Sequence, residues 1–454
     1  MAVFSIIKKS ELEGSLRLDA EYYKPEYLVT LEKIKSFTSG FKKLPYFLSR
    51  VVVTGSTPKK RSCRNDGTDI KFIKTDTLRE GQIIFEEADF LPLQESRKNS
   101  EPKNGDILVT IIGATHDIVG RVARVFSDDP KININQNIAL LRPNQLSFSS
   151  YISVLLQTKY GRGQLWQQSR QTEQVNLNCR EIENILVPLP KDNFIADIDN
   201  LVIESHDLIR QSKNLYSQAE NLLLEELGLK DFQAESKLYS IVNLSELKSA
   251  NRMDAEYFQS HYDGVLNLKI DKKRLSEISD RVTEKIKLNL NLEYKYTEIG
   301  DIDIGSGEAS FNLKQGKDLP ANAKIGISGG ELIISKVRPT RGAIAIVPED
   351  WKDNHVVSGA FSVIKASSPL REYMQVVLRS IVGKLQMEKP TTGSSYPTID
   401  DSDVENLLIP ILPKATQQKI ADLVRKSHEA RKKSKELLEE AKRKVEEMIE
   451  NSNN

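Results

Sequence analysis

One stretch of this sequence occurs twice. Residues 5–23 read SIIKKSELEGSLRLDAEYY, and residues 240–258 read SIVNLSELKSANRMDAEYF. Ten of the 19 positions are identical without a gap: Ser5, Ile6, Ser10, Glu11, Leu12, Arg17, Asp19, Ala20, Glu21 and Tyr22. Chance would give about one, so the chain is an internal duplication whose halves build the same unit. The correspondence runs on. Gly105-Asp106-Ile107-Leu108-Val109 answers Gly330-Glu331-Leu332-Ile333-Ile334. Tyr151, Val154 and Leu156 answer Tyr373, Val376 and Leu378, and Glu183-Asn184-Ile185-Leu186-Val187-Pro188 answers Glu405-Asn406-Leu407-Leu408-Ile409-Pro410. Residues of about 40–100 and 275–325 align poorly. A kept framework with divergent centres is what two readers of different ligands on one scaffold would show.

Each copy ends in a pattern that predicts a long helix, over about 194–227 and 416–449. Pro188 and Pro190 precede the first, Pro410 and Pro413 the second, and Asp192 and Thr416 are polar starts. Leu201, Leu208, Leu215, Leu222 and Leu229 recur at sevens, with Ile198, Ser205, Ser212 and Ala219 at the other seam position. The second helix repeats this register with Ile420, Leu423, Ser427, Ala430, Ser434, Leu437 and Ala441. Apolar 3-4 spacing makes a coiled-coil seam, and small residues at alternate seam positions let two axes come close. Two such helices in one chain most simply pair antiparallel, each of roughly 34 residues and about 50 Å. A leucine heptad also serves as the buried face of any helical bundle. The shared register and the place of both helices at the end of a repeat favour a paired spacer, with Leu201, Leu208, Leu215, Leu222, Leu423 and Leu437 as its seam and partner-facing leucines.

The part before each helix reads as mixed α/β. Residues 107–112 and 119–125 are apolar, β-branched runs around Gly113-Ala114-Thr115-His116-Asp117, hence strand, loop, strand. Residues 332–337 and 343–347 repeat this around Arg338-Pro339-Thr340-Arg341-Gly342. The expected fold class is α+β: two pseudo-repeated mixed α/β domains, at 1–190 and 236–413, separated by two long antiparallel coiled-coil helices, at 191–235 and 414–454.

Composition narrows the function by exclusion. The 454 residues are 39% apolar and 28% charged, a folded balance with room for two to four domains. Cys63 and Cys179 form no CxxC pair, which argues against a zinc site or disulfide framework and fits a reducing cytoplasm. The short apolar run before Lys8-Lys9 is ordered wrongly for a signal peptide, and the longest apolar run, near 107–114, is far too short to span a membrane. No phosphate loop, HExxH or GxSxG motif occurs, and none of His116, His206, His261, His355 and His428 pairs at metal spacing, so no catalytic or metal centre is expected. His206 and His428, at equivalent helix positions, are expected to face solvent or a polar spot of the spacer. Gly305-Ser306-Gly307 reads as a turn. The net charge of +1 neither requires nor forbids a nucleic-acid partner.

The polar residues supply the candidates. Thr54-Gly55-Ser56-Thr57-Pro58-Lys59-Lys60-Arg61-Ser62-Cys63-Arg64 is a basic, turn-rich loop. Its cations can neutralise phosphates, and its glycine and hydroxyls can approach a backbone closely. A solvated loop would read the same. The strand-to-strand loops offer Thr115, His116 and Arg121 in the first copy, and Lys336, Arg338, Thr340 and Arg341 in the second. Late in each copy comes a polar segment. Gln171, Thr172 and Gln174 lie in the first, and Thr392, Ser394, Ser395 and Tyr396 in the second. Gln, Asn and Arg form paired hydrogen bonds with adenine and guanine edges. The matching place of these loops in both copies raises them above ordinary surface polarity.

The order of parts over nearly the whole chain resembles the specificity (S) subunits of type I restriction-modification systems. The TGSTP turn is followed by Ile70-Lys71-Phe72-Ile73-Lys74-Thr75-Asp76, then Asn104-Gly105-Asp106-Ile107-Leu108-Val109-Thr110. Ile112-Gly113-Ala114-Thr115 and Gly120-Arg121-Val122-Ala123 come next, then Ile134-Asn135-Gln136-Asn137-Ile138-Ala139, the Gln-Thr-x-Gln-x-Asn stretch at 171–176, and Val187-Pro188-Leu189-Pro190. The family's usual Glu-Gln pair inside the helix is approached by Gln417-Gln418 and departed from at Asn193-Phe194. The resemblance implies two target-recognition domains, each reading half of a split double-stranded DNA site. Lys74 is then a further DNA contact. The paired helices would fix the gap and dock two DNA methyltransferase (modification) subunits, and a restriction/motor subunit would join for cleavage. S-adenosylmethionine, ATP and Mg would serve those partners, leaving this chain without a cofactor. Two other readings remain: a recognition subunit of a related type II restriction-methylation system, and a duplicated coiled-coil protein-binding adaptor.

Overall fold

The apolar run that starts at Ile107 becomes the middle of a four-stranded antiparallel sheet in the computed structural model, which describes residues 5–15, 17–59, 61, 70–79, 81–171, 174–234, 239–393 and 395–451. The order is Val53–Thr54, Ile138–Leu141, Ile107–Thr110, Val122–Arg124. Side chains alternate across such a sheet. Ile107, Val109, Ala139 and Leu141 enter one core, while Leu108, Ile138 and Leu140 enter another on the opposite face. Burial on both faces is why these strands read as continuous apolar runs. The first core is closed by the helices Ser147–Gln157 and Lys159–Gln168, the second by a small sheet ordered Ile132–Ile134, Lys71–Ile73, Asp89–Phe90. The expected 107–112 strand divides at Ile111. Its second part, Ile112–Gly113, joins a hairpin made by Arg170–Gln171 and Val175–Asn176. The expected 119–125 strand shortens to Val122–Arg124.

The second copy repeats the topology. Its main sheet runs Asp280–Arg281, Phe361–Lys365, Leu332–Ser335, Ile344–Ile346. Leu332, Ile334 and Ile344 face one core, and Ile333, Ala345 and Val363 the other. The divergent centre is again a small sheet, here four-stranded: Asn312–Gln315, Glu293–Thr297, His355–Ser358, Ala323–Ile327. Residues kept in both copies make the same bonds. Tyr151 Oη donates to Pro188 O at 3.0 Å, and Tyr373 Oη to Pro410 O at 2.8 Å. Gln164 and Gln386 each clasp a strand backbone from both sides, at Leu186 (3.0 and 2.7 Å) and Leu408 (2.9 and 2.7 Å).

The long helices are Asp192–Glu226 and Lys414–Asn451, 35 and 38 residues. The chain forms two compact units, Met1–Leu208 with Lys433–Asn454, and Ile209–Lys432, so the division falls inside both helices. In the first unit the helix segments run antiparallel: Ser205 faces Ser434, with their hydroxyls 2.8 Å apart, while Ile198 and Ala441 share the core. In the second, Ser212 faces Ser427 at 2.9 Å, and Ala219 and Ile420 share the core. Each pair adds a hydroxyl bond to the opposite backbone, Ser434 to Ser205 O and Ser427 to Ser212 O, both at 2.8 Å. The small seam residues therefore do what their spacing predicts. The leucine column does not form the centre of the seam. Leu201, Leu208, Leu215, Leu222, Leu423 and Leu437 are half-buried flanks, whereas Ile198, Val202, Ser205, Ser212, Ala219 and Leu223 are buried.

The helix histidines also differ from expectation. His206 stacks on Phe126 at 3.6 Å and bonds Asp128 at 3.0 Å. His428 is half-buried with its Nε2 shut off from solvent, and burial, with Arg379 and Arg431 nearby, holds its pKa down at about 4. Both pack against their own α/β domain rather than serving a polar spot between helices.

Candidate nucleic-acid interface

In the first unit, two of the predicted loops meet because the chain pairs their strands. Val175–Asn176 bonds both to Arg170–Gln171 and to Ile112–Gly113. The 113–120 loop and the hairpin therefore leave one small sheet together. Trp166 Nε1 donates to His116 O at 3.1 Å, and His116 Nε2 lies 3.5 Å from Ser169 Oγ, which fixes the loop against the helix before the hairpin. Thr115 and Gln174 are exposed and His116 is half-buried. Gln171 contributes its backbone to the hairpin, and Thr172 lies outside the described residues. Arg121 turns onto its own surroundings: Nε donates to Asp117 O at 3.0 Å and Nη1 to Leu78 O at 3.5 Å. Burial and then neighbouring Arg79 lower its pKa.

The TGSTP loop proves to be partly a packing device. A Cβ on Gly55 would sit 1.9 Å from Ile134 O, so glycine is required for the turn to lie on the Ile134-Asn135 backbone. Thr57 and Lys59 are exposed, and Lys60 and Arg64 lie outside the described residues. The cations have acidic neighbours. Arg61 Nε is 3.8 Å from Asp89 Oδ2, and Lys74 Nζ is 3.2 Å from the same oxygen and 3.8 Å from Asp76. The Lys59 N–H donates to Glu95 at 3.0 Å. This basic segment is moderated by the chain's own carboxylates.

The second unit builds the equivalent place differently. Lys336 is drawn inward to Asp401 at 3.0 Å. Arg338 adopts the left-handed region at φ 48°, which a non-glycine residue rarely does without being held there. Its N–H donates to Pro397 O at 2.7 Å, Nη2 donates to Ser395 O at 3.2 Å, and the guanidinium lies 4.5 Å from the Tyr396 ring centre. Thr340, half-buried, and Arg341, exposed, share the turn Pro339–Arg341. Thr392 pairs with Thr398 through N–H to carbonyl bonds of 3.0 and 2.9 Å, and Thr398 also bridges Val337. Ser395 and Tyr396 sit exposed on this loop, and Ser394 lies outside the described residues. Arg338, Arg341, Ser395 and Tyr396 thus form one polar and aromatic surface.

Sequence reasoning missed two features. On the small sheet of the second unit, Lys295 and Lys314 stand over Phe311 (5.3 Å) and Tyr296 (5.1 Å), with Lys285, Lys287, Lys317 and Lys324 exposed on the same sheet and its connections. The alternation Tyr294-Lys295-Tyr296 was the available sign. The other is the role of the repeated Arg-x-Asp-Ala-Glu-Tyr motif. Arg17 pairs with Asp19 at 2.6 Å and donates to Gln168 O (3.1 Å) and Ser169 O (3.3 Å). Arg252 pairs with Asp254 at 2.7 Å and donates to Pro390 O (2.8 Å) and Thr391 O (3.1 Å). Each arginine holds its carboxylate partner below the usual aspartate range.

Asp128, Asp129 and His206 bring ligand-type atoms within 4.8 Å of one another. They are already engaged: His206 bonds Asp128, and Asp129 accepts the Phe126 N–H at 2.8 Å. Among the described residues no helix is long and apolar enough to cross a membrane.

Residues 48–214 match the profile of the family described as Type I restriction modification DNA specificity domain. The chain is 30% identical over 154 residues to the type I restriction enzyme HindI specificity subunit of Haemophilus influenzae, covering 33% of each protein. It is 30% identical over 94 residues to the EcoBI specificity subunit of Escherichia coli, covering 20% of this chain and 19% of that one. The matched stretches thus span a third or less of these relatives. A type I S subunit from M. genitalium aligns at 12% identity and TM-score 0.40, over 92% of this chain and 97% of the other. The HsdS subunit of Thermoanaerobacter tengcongensis aligns at 13% identity and TM-score 0.29, over 91% and 96%. Residues 48–214 are thus similar to type I restriction modification DNA specificity domains.

Proposed function

We propose that this chain is the DNA-reading subunit of a type I restriction-modification complex and performs no catalysis itself. Each repeat reads one half of a two-part double-stranded target. The observation that carries this is the duplicated mount. One main-sheet topology occurs in both copies, and each presents a strand-to-strand loop beside a late polar segment at the same place, with different side chains in each. Polar and aromatic residues on loops above a rigid framework suit base-edge hydrogen bonding and stacking. Lys59, Arg61 and the lysines of the second small sheet supply phosphate contacts.

The long helices set the distance between half-sites and dock two methyltransferase subunits, whose helices would cover the half-buried leucines. A restriction/motor subunit joins for cleavage. S-adenosylmethionine, ATP and Mg belong to those partners, and the complex works in the cytoplasm.

Selection of duplexes from a random pool by the assembled complex tests the reading. It should enrich one motif with two fixed parts and an unspecified gap, with binding that weakens steeply as salt rises. Retention without any enriched motif and without salt dependence would point to a protein-binding adaptor instead.

A further inference from the structure

Each repeat's late polar segment is bracketed by the same clasp. In the first unit, Arg17 holds the carbonyls of Gln168 and Ser169, where the helix Lys159–Gln168 ends. These are among the carbonyls a helix end leaves without partners. On the far side of the segment, Asn178 and Glu181 form a reciprocal cap: the Glu181 N–H donates to Asn178 Oδ1 at 3.0 Å, and the Asn178 N–H to Glu181 Oε2 at 2.7 Å. Glu181 lies 3.7 Å from Arg17, so the two ends are tied to each other. In the second unit Arg252 holds Pro390 and Thr391 after the helix Ile381–Glu388. Asp400 and Asp403 form the far cap at 2.9 Å in both directions, and Asp403 feels the Arg252 charge. Each arginine also faces a motif tyrosine, Tyr22 at 5.0 Å and Tyr257 at 4.7 Å.

The filling differs completely. Between the clasp points the first copy reads Arg170-Gln171-Thr172-Glu173-Gln174-Val175-Asn176-Leu177, and the second reads Thr392-Gly393-Ser394-Ser395-Tyr396-Pro397-Thr398-Ile399. The two fillings are equally long. Equivalent arginine clasps around different contents explain why Arg17, Asp19 and Tyr22 recur unchanged, although Arg17 lies about 150 residues away from the segment it holds.

We infer that Arg17 and Arg252 are positioning residues, each fixing the specificity-determining segment of its own repeat, so that one clasp governs one half-site. This rests on the DNA-reading function proposed above. A lysine in either place keeps the charge but offers three donors from a single nitrogen, which cannot reproduce the two-nitrogen grip on the aspartate together with both carbonyls.

The test uses the full complex with Arg17→Lys, and separately Arg252→Lys. Hydrogen exchange of the 170–177 amides should speed up about tenfold in the first variant, the loss of roughly one charge-assisted bond, while 392–399 is unchanged. The second variant should do the reverse. Duplex selection should then show relaxed base preference in one half of the motif only, a different half for each variant. A merely structural role would weaken both halves alike. Unchanged exchange in both variants overturns the clasp. Faster exchange with base preference intact in both halves overturns the specificity role. A wild-type complex that enriches no two-part motif sinks the functional reading, while the exchange arm still decides whether the clasp holds the segments. Should Arg17→Lys fail to fold, Asp19→Asn leaves the arginine in place without its orienting partner. The same local exchange increase is expected, and its absence overturns the clasp.

Discussion

Arg338 combines three properties that rarely coincide: a left-handed backbone, a guanidinium laid along an exposed tyrosine, and a place on the loop that faces the late segment. Such a side chain is pre-oriented, so little freedom would be lost on contact with a base pair. Arg338→Ala should lower discrimination at one target position by roughly 1–3 kcal/mol and leave the other positions and overall folding unchanged. Duplex selection and a thermal melt read the two together, and a lowered melting temperature with intact discrimination would return Arg338 to the scaffold. His428 makes a different prediction. Burial first, then Arg379 and Arg431, hold its native pKa down at about 4. The unfolded ring titrates near 6.5. Above about 6.5 both states are neutral and this residue contributes no pH dependence. Between about 6.5 and 4 the unfolded chain binds a proton that the native state refuses, so stability falls as pH drops. His355, buried beside Lys295, is held near the same value and adds to the slope. His428→Gln should remove about one proton from the pH dependence of unfolding between pH 7 and 5. Trp351 fluorescence in a Trp166→Phe background follows the second unit, and an unchanged slope would contradict the assignment.

The helix seam shows how much a heptad says and where it stops. The register of Ser205, Ser212, Ser427 and Ser434 could be read from the sequence, and the hydroxyl pairs realise it. The leucines at strict sevens suggested a buried column. They fall to the flank because small side chains at the centre bring the axes close and the domain packs from one side. Ser205→Leu should overpack the seam and cost about 1–3 kcal/mol, while Ser205→Ala combined with Ser434→Ala should be nearly neutral, since both partners of the hydroxyl pair leave together. Calorimetry checks the order. Equal losses would mean that the pairs do not set the packing. Strand cores were also readable, because their apolar runs are short, β-branched and bounded by glycine-containing turns, which favours strand over buried helix. The polar loops were readable only as places. Lys336, Arg121 and Arg61 carry the right chemistry, yet Asp401, the Asp117 and Leu78 carbonyls and Asp89 engage them, and those partners come from other segments of the chain. Replacing Lys59, Lys60 and Arg61 with Ala should therefore lower the salt slope of binding by fewer than three units, at about one unit per lost phosphate contact. A changed base preference with an unchanged slope would put these residues in a groove.

The duplication governs the whole molecule, because each half of the chain carries the same framework and ends in one long helix. The serine pairs fix where those helices can be lengthened together: seven residues after Ser212 and seven before Ser427 preserve both hydroxyl pairs. Such an insertion adds about 10 Å while keeping the seam in phase, so the gap in the target should grow by about three base pairs with both half-sites unchanged. The central claim, that each copy reads its own half-site, is met most directly by methylation-sensitive sequencing of DNA from cells carrying the chain with its partner subunits. The comparison is between the native chain and one whose first divergent centre, 40–100, has been replaced by that of another reader. The account predicts a two-part modified motif in which the exchange alters one half and leaves the other half and the gap as they were. A single undivided motif, or an exchange that alters both halves, would contradict it.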